Sequence, residues 1–159
     1  MRKIFLSLIC LLFFYSQAMV LKGGVVEEII PKGFFGSWGV ISKLQSTNNE
    51  KLFNYESKDI WTLGGYSNIL ILQNLKSGAY SEIFIDEKPK DGKTLSFERE
   101  KIVKEQENQI KYIEKVTFTL QGNNFSGIDE FIVEKYDKSK KLIEKNSAKY
   151  RIEGVKIFS

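Results

Sequence analysis

The amino-acid sequence predicts an all-β fold, a soluble antiparallel up-and-down barrel of about eight strands with room for one short helix. Three observations carry this expectation. Apolar and polar residues alternate with period two through most of the chain beyond residue 34, as strands with one buried face do. Turn-forming clusters recur every 10 to 15 residues, a spacing that suits a meander. Only Pro31 and Pro89 interrupt 159 residues, and no linker divides them. Closing such a meander also removes the sheet edges through which chains aggregate.

The first 18 residues read as an address. Arg2 and Lys3 precede an uncharged run from Ile4 to Tyr15, and Ser16-Gln17-Ala18 supplies small residues at a cleavage site. The 12 residues of that run would span roughly 18 Å as a helix, short of the roughly 30 Å hydrocarbon core. A cleaved secretory signal (1–18) is therefore favoured over a permanent anchor, with the protein periplasmic or extracellular. Cys10 follows Ile9, not the small residue of a lipoprotein signal, and reads as apolar filler. The body would then hold no cysteine and stand on its core alone. Residues 19–33 form an N-terminal segment, jointed at Pro31, and 34–159 the barrel.

Within the barrel, Phe35 to Ile41 opens the first strand, Lys51 to Tyr55 suits a second, and Asp59 to Leu63 a third, broken by Gly64-Gly65. Ser67 to Leu75 contains Ile69-Leu70-Ile71-Leu72, apolar on both faces. Its outer face asks for a partner or a covering segment such as Val25 to Ile30. Ala79 to Ile85 alternates again, and Glu87 to Lys93 is a polar turn. Thr94 to Phe97, Ile110 to Leu120, Phe125 to Tyr136 and Leu142 to Ile157 follow, with Gln121-Gly122-Asn123-Asn124 as a turn. Glu98 to Glu114 is rich in helix formers and fits either a short helix or the charged arms of a hairpin with its tip at Glu105 to Asn108. The hairpin is favoured because both flanking runs are strand-like.

Composition excludes much chemistry. There is no histidine, which removes Ser-His, Cys-His and His-ligated metal mechanisms. No motif points to Ser-Lys, Lys, Tyr or carboxylate catalysis. Asp129 and Glu130 are adjacent and would face opposite sides of a strand; a carboxylate pair from separate strands stays open. Asp86, Glu87, Asp91 and Gly92 lie among Lys88, Lys90 and Lys93, which would repel calcium, so Asp91-Gly92 reads as a turn. Lys22-Gly23-Gly24 and Gly64-Gly65 lack phosphate-loop spacing. Without the signal, 22 basic side chains face 20 acidic ones, interspersed, which gives nucleic-acid binding little support. Glu82, Asp86, Glu114 and Lys135 interrupt faces that an outer-membrane barrel would turn to lipid, so no membrane-spanning role is expected.

Gly36-Ser37-Trp38 on the first long strand, followed by the meander, resembles the lipocalin and wider calycin group. The resemblance implies a barrel opened by Gly36, a structural Trp38 plugging its closed end, and a late-strand arginine, here Arg151, packed across the indole. Trp38, Trp61, Tyr66, Phe84 and Phe118 are the candidates for lining a ligand cavity; the alternative is that such rings fill a narrow interior. The expected function is an exported barrel that binds a small apolar ligand, without catalytic activity, metal or cofactor. The alternative is a cell-envelope structural or protein-interaction module with a filled core. If the address is read correctly, the exported chain begins at Met19, which its intact mass and N-terminal sequencing will check.

Overall fold

Eight antiparallel strands form where the sequence alternates: β1 (Gly36–Thr47), β2 (Glu56–Tyr66), β3 (Ile69–Asn74), β4 (Tyr80–Phe84), β5 (Thr94–Glu105), β6 (Asn108–Gln121), β7 (Asn124–Tyr136) and β8 (Leu142–Phe158). The structure, a computed structural model, describes residues 29–85 and 87–158. The signal segment, Cys10, Lys22-Gly23-Gly24, Val25 to Glu28 and Asp86 lie outside the described residues. The only helix among those described is a single 3-10 turn, Lys32–Phe34, just before β1.

Each strand pairs with its neighbour in the chain except at one place, giving the order β4-β3-β2-β1-β8-β7-β6-β5. First and last strands meet: Trp38 lies opposite Trp61 on β2 and opposite Lys156 on β8. A sheet in this order curls until β4 and β5 come together, and the result is a nearly closed barrel whose seam carries no backbone ladder.

The ambiguous charged stretch is a hairpin. β5 and β6 pair from Thr94↔Thr119 to Glu105↔Asn108, and Gln106 turns the tip with φ 54°. Its charges pair across the outer face: Lys115 with Glu98 at 2.9 Å and Lys111 with Glu100 at 2.6 Å. Two expected boundaries move. Lys51 to Tyr55 is a turn, because local side chains capture the backbone there: Thr47 Oγ1 accepts from Asn49 N at 3.0 Å and Asn49 Oδ1 from Lys51 N at 3.2 Å. β2 runs unbroken through Gly64-Gly65 to a turn at Ser67-Asn68.

The core fills one half of the interior. Trp38, Phe34 and Phe118 are completely buried, joined by Leu63, Leu70, Leu95 and Ile152. Phe118 and Phe125 meet at 4.7 Å; Phe125 also contacts Trp38 at 5.1 Å and Trp61 at 6.1 Å, and Phe34 meets Phe118 edge-on at 5.3 Å. Two glycines make room for these rings. Gly127 lies opposite Phe118 and Gly154 opposite Phe125, and a Cβ at either would overlap its partner. Trp38 Nε1 donates to Phe34 O at 2.9 Å, so the 3-10 turn and the indole cap the same end.

The cation over that indole is not Arg151. Lys156 Nζ sits 5.1 Å from the ring centroid and donates to Gly33 O at 3.1 Å. The reason is strand parity. Ile152 points inward and is fully buried, so Arg151 faces outward, exposed, and pairs with Glu153 at 2.9 Å. Lys156, an even number of residues from Ile152, shares the inner face and lies opposite Trp38.

Truncating Phe125→Ala should cost about 3–5 kcal/mol and crowding its ring with Gly154→Ala about 1–3 kcal/mol, both read as a fall in urea midpoint at unchanged slope.

Candidate functional site

The other half of the barrel is open and polar. Strand connections β1–β2, β3–β4, β5–β6 and β7–β8 all lie at the end away from Trp38, and beneath them is a cavity of about 370 Å³. Its floor is Trp61 and Leu72, the upper surface of the core. Phe53, Phe131 and Leu52 form apolar wall, and Ser42, Ser57, Asp59, Asn74 and Tyr150 form polar wall. Three further side chains, Arg99, Glu114 and Asp129, stand side by side on consecutive strands.

Register explains that row. Arg99 lies directly opposite Glu114, and Val116, two residues on from Glu114, lies opposite Asp129. All three share the inner face of the sheet with the core residues Phe97 and Phe118. Glu114 is buried, and its Oε2 pairs with Arg99 Nε. Arg99 Nη1 donates to Ser81 Oγ on β4 at 2.8 Å, so one guanidinium ties the cavity wall together and bridges the seam. Ser57 Oγ donates to Asp59 Oδ2 at 3.1 Å, and the Tyr150 hydroxyl donates to Asn54 O at 3.1 Å.

Asp129 is the exception to this pairing. Its Oδ1 is buried and accepts no hydrogen bond from the described residues. Burial pushes its carboxyl up to about 7; the Glu114 charge adds to the rise and Arg99 opposes it. Tyr150 is raised in turn, by burial first and by the Asp129 charge second. Asp129 and Glu130 do take opposite faces: Glu130 is outside, 3.2 Å from Lys149. The two inward acids that meet, Glu114 and Asp129, come from neighbouring strands.

Of the five ring residues singled out from the sequence, the structure brings one, Trp61, to the cavity. Trp38 and Phe118 are packed within the core. Tyr66 and Phe84 stand on the outer surface, 60% and 66% exposed, aligned through Ile69 between them. Parity again decides: Leu63 and Ile83 are the inward residues of those strands. The polar side chains that line the cavity are not among the residues the sequence singles out. Glu114 was visible as a charge within an otherwise apolar face, and Arg99 stood in the stretch whose secondary structure was ambiguous.

Asp91 belongs to a turn. Its oxygens accept from Lys93 N at 2.9 Å, Thr94 N at 2.8 Å and Thr94 Oγ1 at 2.6 Å, and the Thr94 bonds chiefly hold its carboxyl down at about 2. Among the described residues, no three Asp or Glu side chains are placed to hold a metal ion. No protein-family model, curated protein or solved structure matches the chain.

The raised carboxyl makes stability depend on pH in a defined direction. Between the ordinary aspartate value near 4 and about 7, the folded protein keeps the Asp129 proton that the unfolded chain has lost. This contribution is therefore full at the acid end and lost as pH rises through that window. Asp129→Asn should melt above the parent near pH 8 and converge with it near pH 4, as thermal melts across that range will show.

Proposed function

We propose that this chain is an exported barrel that binds a small molecule at its open end and carries out no chemistry on it. One observation carries the reading: the interior is divided into a filled apolar half and an open-ended cavity of about 370 Å³ floored by Trp61. That volume falls within the range of small-ligand pockets, and the mixture of rings with a few polar groups is what orients a ligand. Export rests on the N-terminal sequence pattern. The mixed lining narrows the small apolar ligand expected from the sequence to one with an apolar body for Phe53, Trp61 and Phe131 and a polar group for the acids and hydroxyls beside them.

A second reading, a protein-interaction module, is favoured by the exposed Tyr66 and Phe84, aligned across half-buried Ile69 on the outer face of β2 to β4.

Native mass spectrometry of the exported chain separates the two. Extra mass of a few hundred daltons, lost on denaturation, supports the binding barrel; a bare chain in a dimer or a hetero-complex supports the interaction module. As a site check, Ser57→Phe should fill the mouth and abolish both the extra mass and the ligand-induced change in Trp61 fluorescence. It should leave the melting temperature within a few degrees of the parent.

A further inference from the structure

We propose, resting on the small-molecule reading of this cavity, that its ligand is an organic cation whose ammonium group is held by Asp129. The charges in the cavity set the sign. Asp59, Glu114 and Asp129 face one guanidinium, Arg99, which is already shared between Glu114 and Ser81. A carboxylate or phosphate entering here would meet three acids and no uncommitted cation in the row. A donor or a cation would meet the Asp129 carboxylate, which lines the cavity and whose Oδ1 is a buried acceptor that no described residue uses. Burying a carboxylate oxygen without a partner is costly, and a ligand that supplies the partner recovers that cost on binding.

The surroundings favour an organic cation. Phe131 lies two residues along β7 from Asp129 on the same inner face and meets Phe53 at 6.2 Å and Tyr112 at 6.2 Å. An ammonium seated on Asp129 would therefore place its carbon chain along these rings, and aromatic faces attract cations as well as hydrocarbon. A bare metal ion has no carbon chain to bury against these rings.

The carboxyl's raised value, about 7, supplies an independent signature. Glu114 and Arg99 face Asp129 from β6 and β5, Tyr150 from β8, and Asp59 lines the same cavity from β2. A cation bound here favours the ionised carboxylate, so binding releases a proton below about pH 7 and strengthens as pH rises towards about 8. A simple alkylammonium keeps its own proton through this range.

The test uses three probes with one phenyl tail and different heads: phenethylammonium, phenethyl alcohol and hydrocinnamate, titrated into the whole protein and followed by calorimetry. Phenethylammonium should bind at least about tenfold more tightly than the other two near pH 8, the size expected of a charge-assisted hydrogen bond. Asp129→Asn should erase that preference, while Glu130→Gln, the same charge change on the outer face, should keep it. If Asp129→Asn does not fold, the parent decides alone: the ammonium's advantage over the alcohol must grow between about pH 5.5 and about pH 8. Equal or tighter binding of the alcohol or hydrocinnamate overturns the cation assignment and leaves the cavity as a binding site. A preference that survives Asp129→Asn, or that ignores pH, also overturns it. Absence of saturable binding by all three at millimolar concentration overturns the assignment and the small-molecule reading together.

Discussion

The contact between Phe118 and Phe125 is the constraint on which the rest of the barrel depends. Their ring centroids lie 4.7 Å apart, and each ring then contacts the next layer: Phe34 and Phe97 from one, Trp38 and Trp61 from the other. Such rings need space over the neighbouring strand. Gly127 and Gly154 give it, where the missing Cβ atoms leave room beside Phe118 and Phe125. Large residues on one strand and none on its neighbour give the interdigitation that dense cores need.

This aromatic layer also sets where the polar half begins. Phe118 and Val116 are core, and Glu114 is not; Phe97 is core, and Arg99 is not; Phe125 is core, and Asp129 is not. Three adjacent strands change from apolar to ionisable, β5 and β6 at one pair, Arg99 and Glu114, and β7 one inward residue nearer the core, at Asp129 opposite Val116. A buried ion pair seldom adds stability compared with hydrocarbon of the same shape. The Arg99–Glu114 pair is better understood as what lets an open, polar interior adjoin an apolar one. Trp61 is the boundary: its ring stacks on Phe125 below and lines the cavity above.

Much of the fold was legible because strand alternation survives in sequence. The eight-strand antiparallel count, the meander, the hairpin tip near Glu105 to Asn108 and the turn at Asp91-Gly92 all follow from local residue chemistry. The site was less legible, because parity within a strand is local while the inner face is a property of the whole barrel. Ile69 to Leu72 is apolar on both sides, and only the closed sheet shows that Leu70 and Leu72 face in. Arg151 and Lys156 are both late-strand cations; which one reaches Trp38 depends on which alternate residues face the core. Ile29, whose amide donates to Ser67 O at 3.2 Å, packs against the core beside the turn between β2 and β3.

The charges between Glu98 and Lys104, which resemble a helix in composition, belong on a strand for a reason that concerns the seam. β3 and β4 are 6 and 5 residues long, whereas β5 and β6 are 12 and 14. The short pair cannot cover the full height of the long hairpin, so β5 is left with an edge that no backbone ladder satisfies. Exposed edges invite pairing with other chains, and charged side chains along them oppose it. On β5 the outward charges Glu98 and Glu100 are neutralised by Lys115 and Lys111 on β6, which holds the hairpin together without building a large field. The inward one, Arg99, reaches across to Ser81 and makes the side-chain hydrogen bond that joins the two edges. The same alternation that protects the edge thus delivers a guanidinium to the cavity, where it neutralises Glu114 and leaves Asp129 as the unpaired acid.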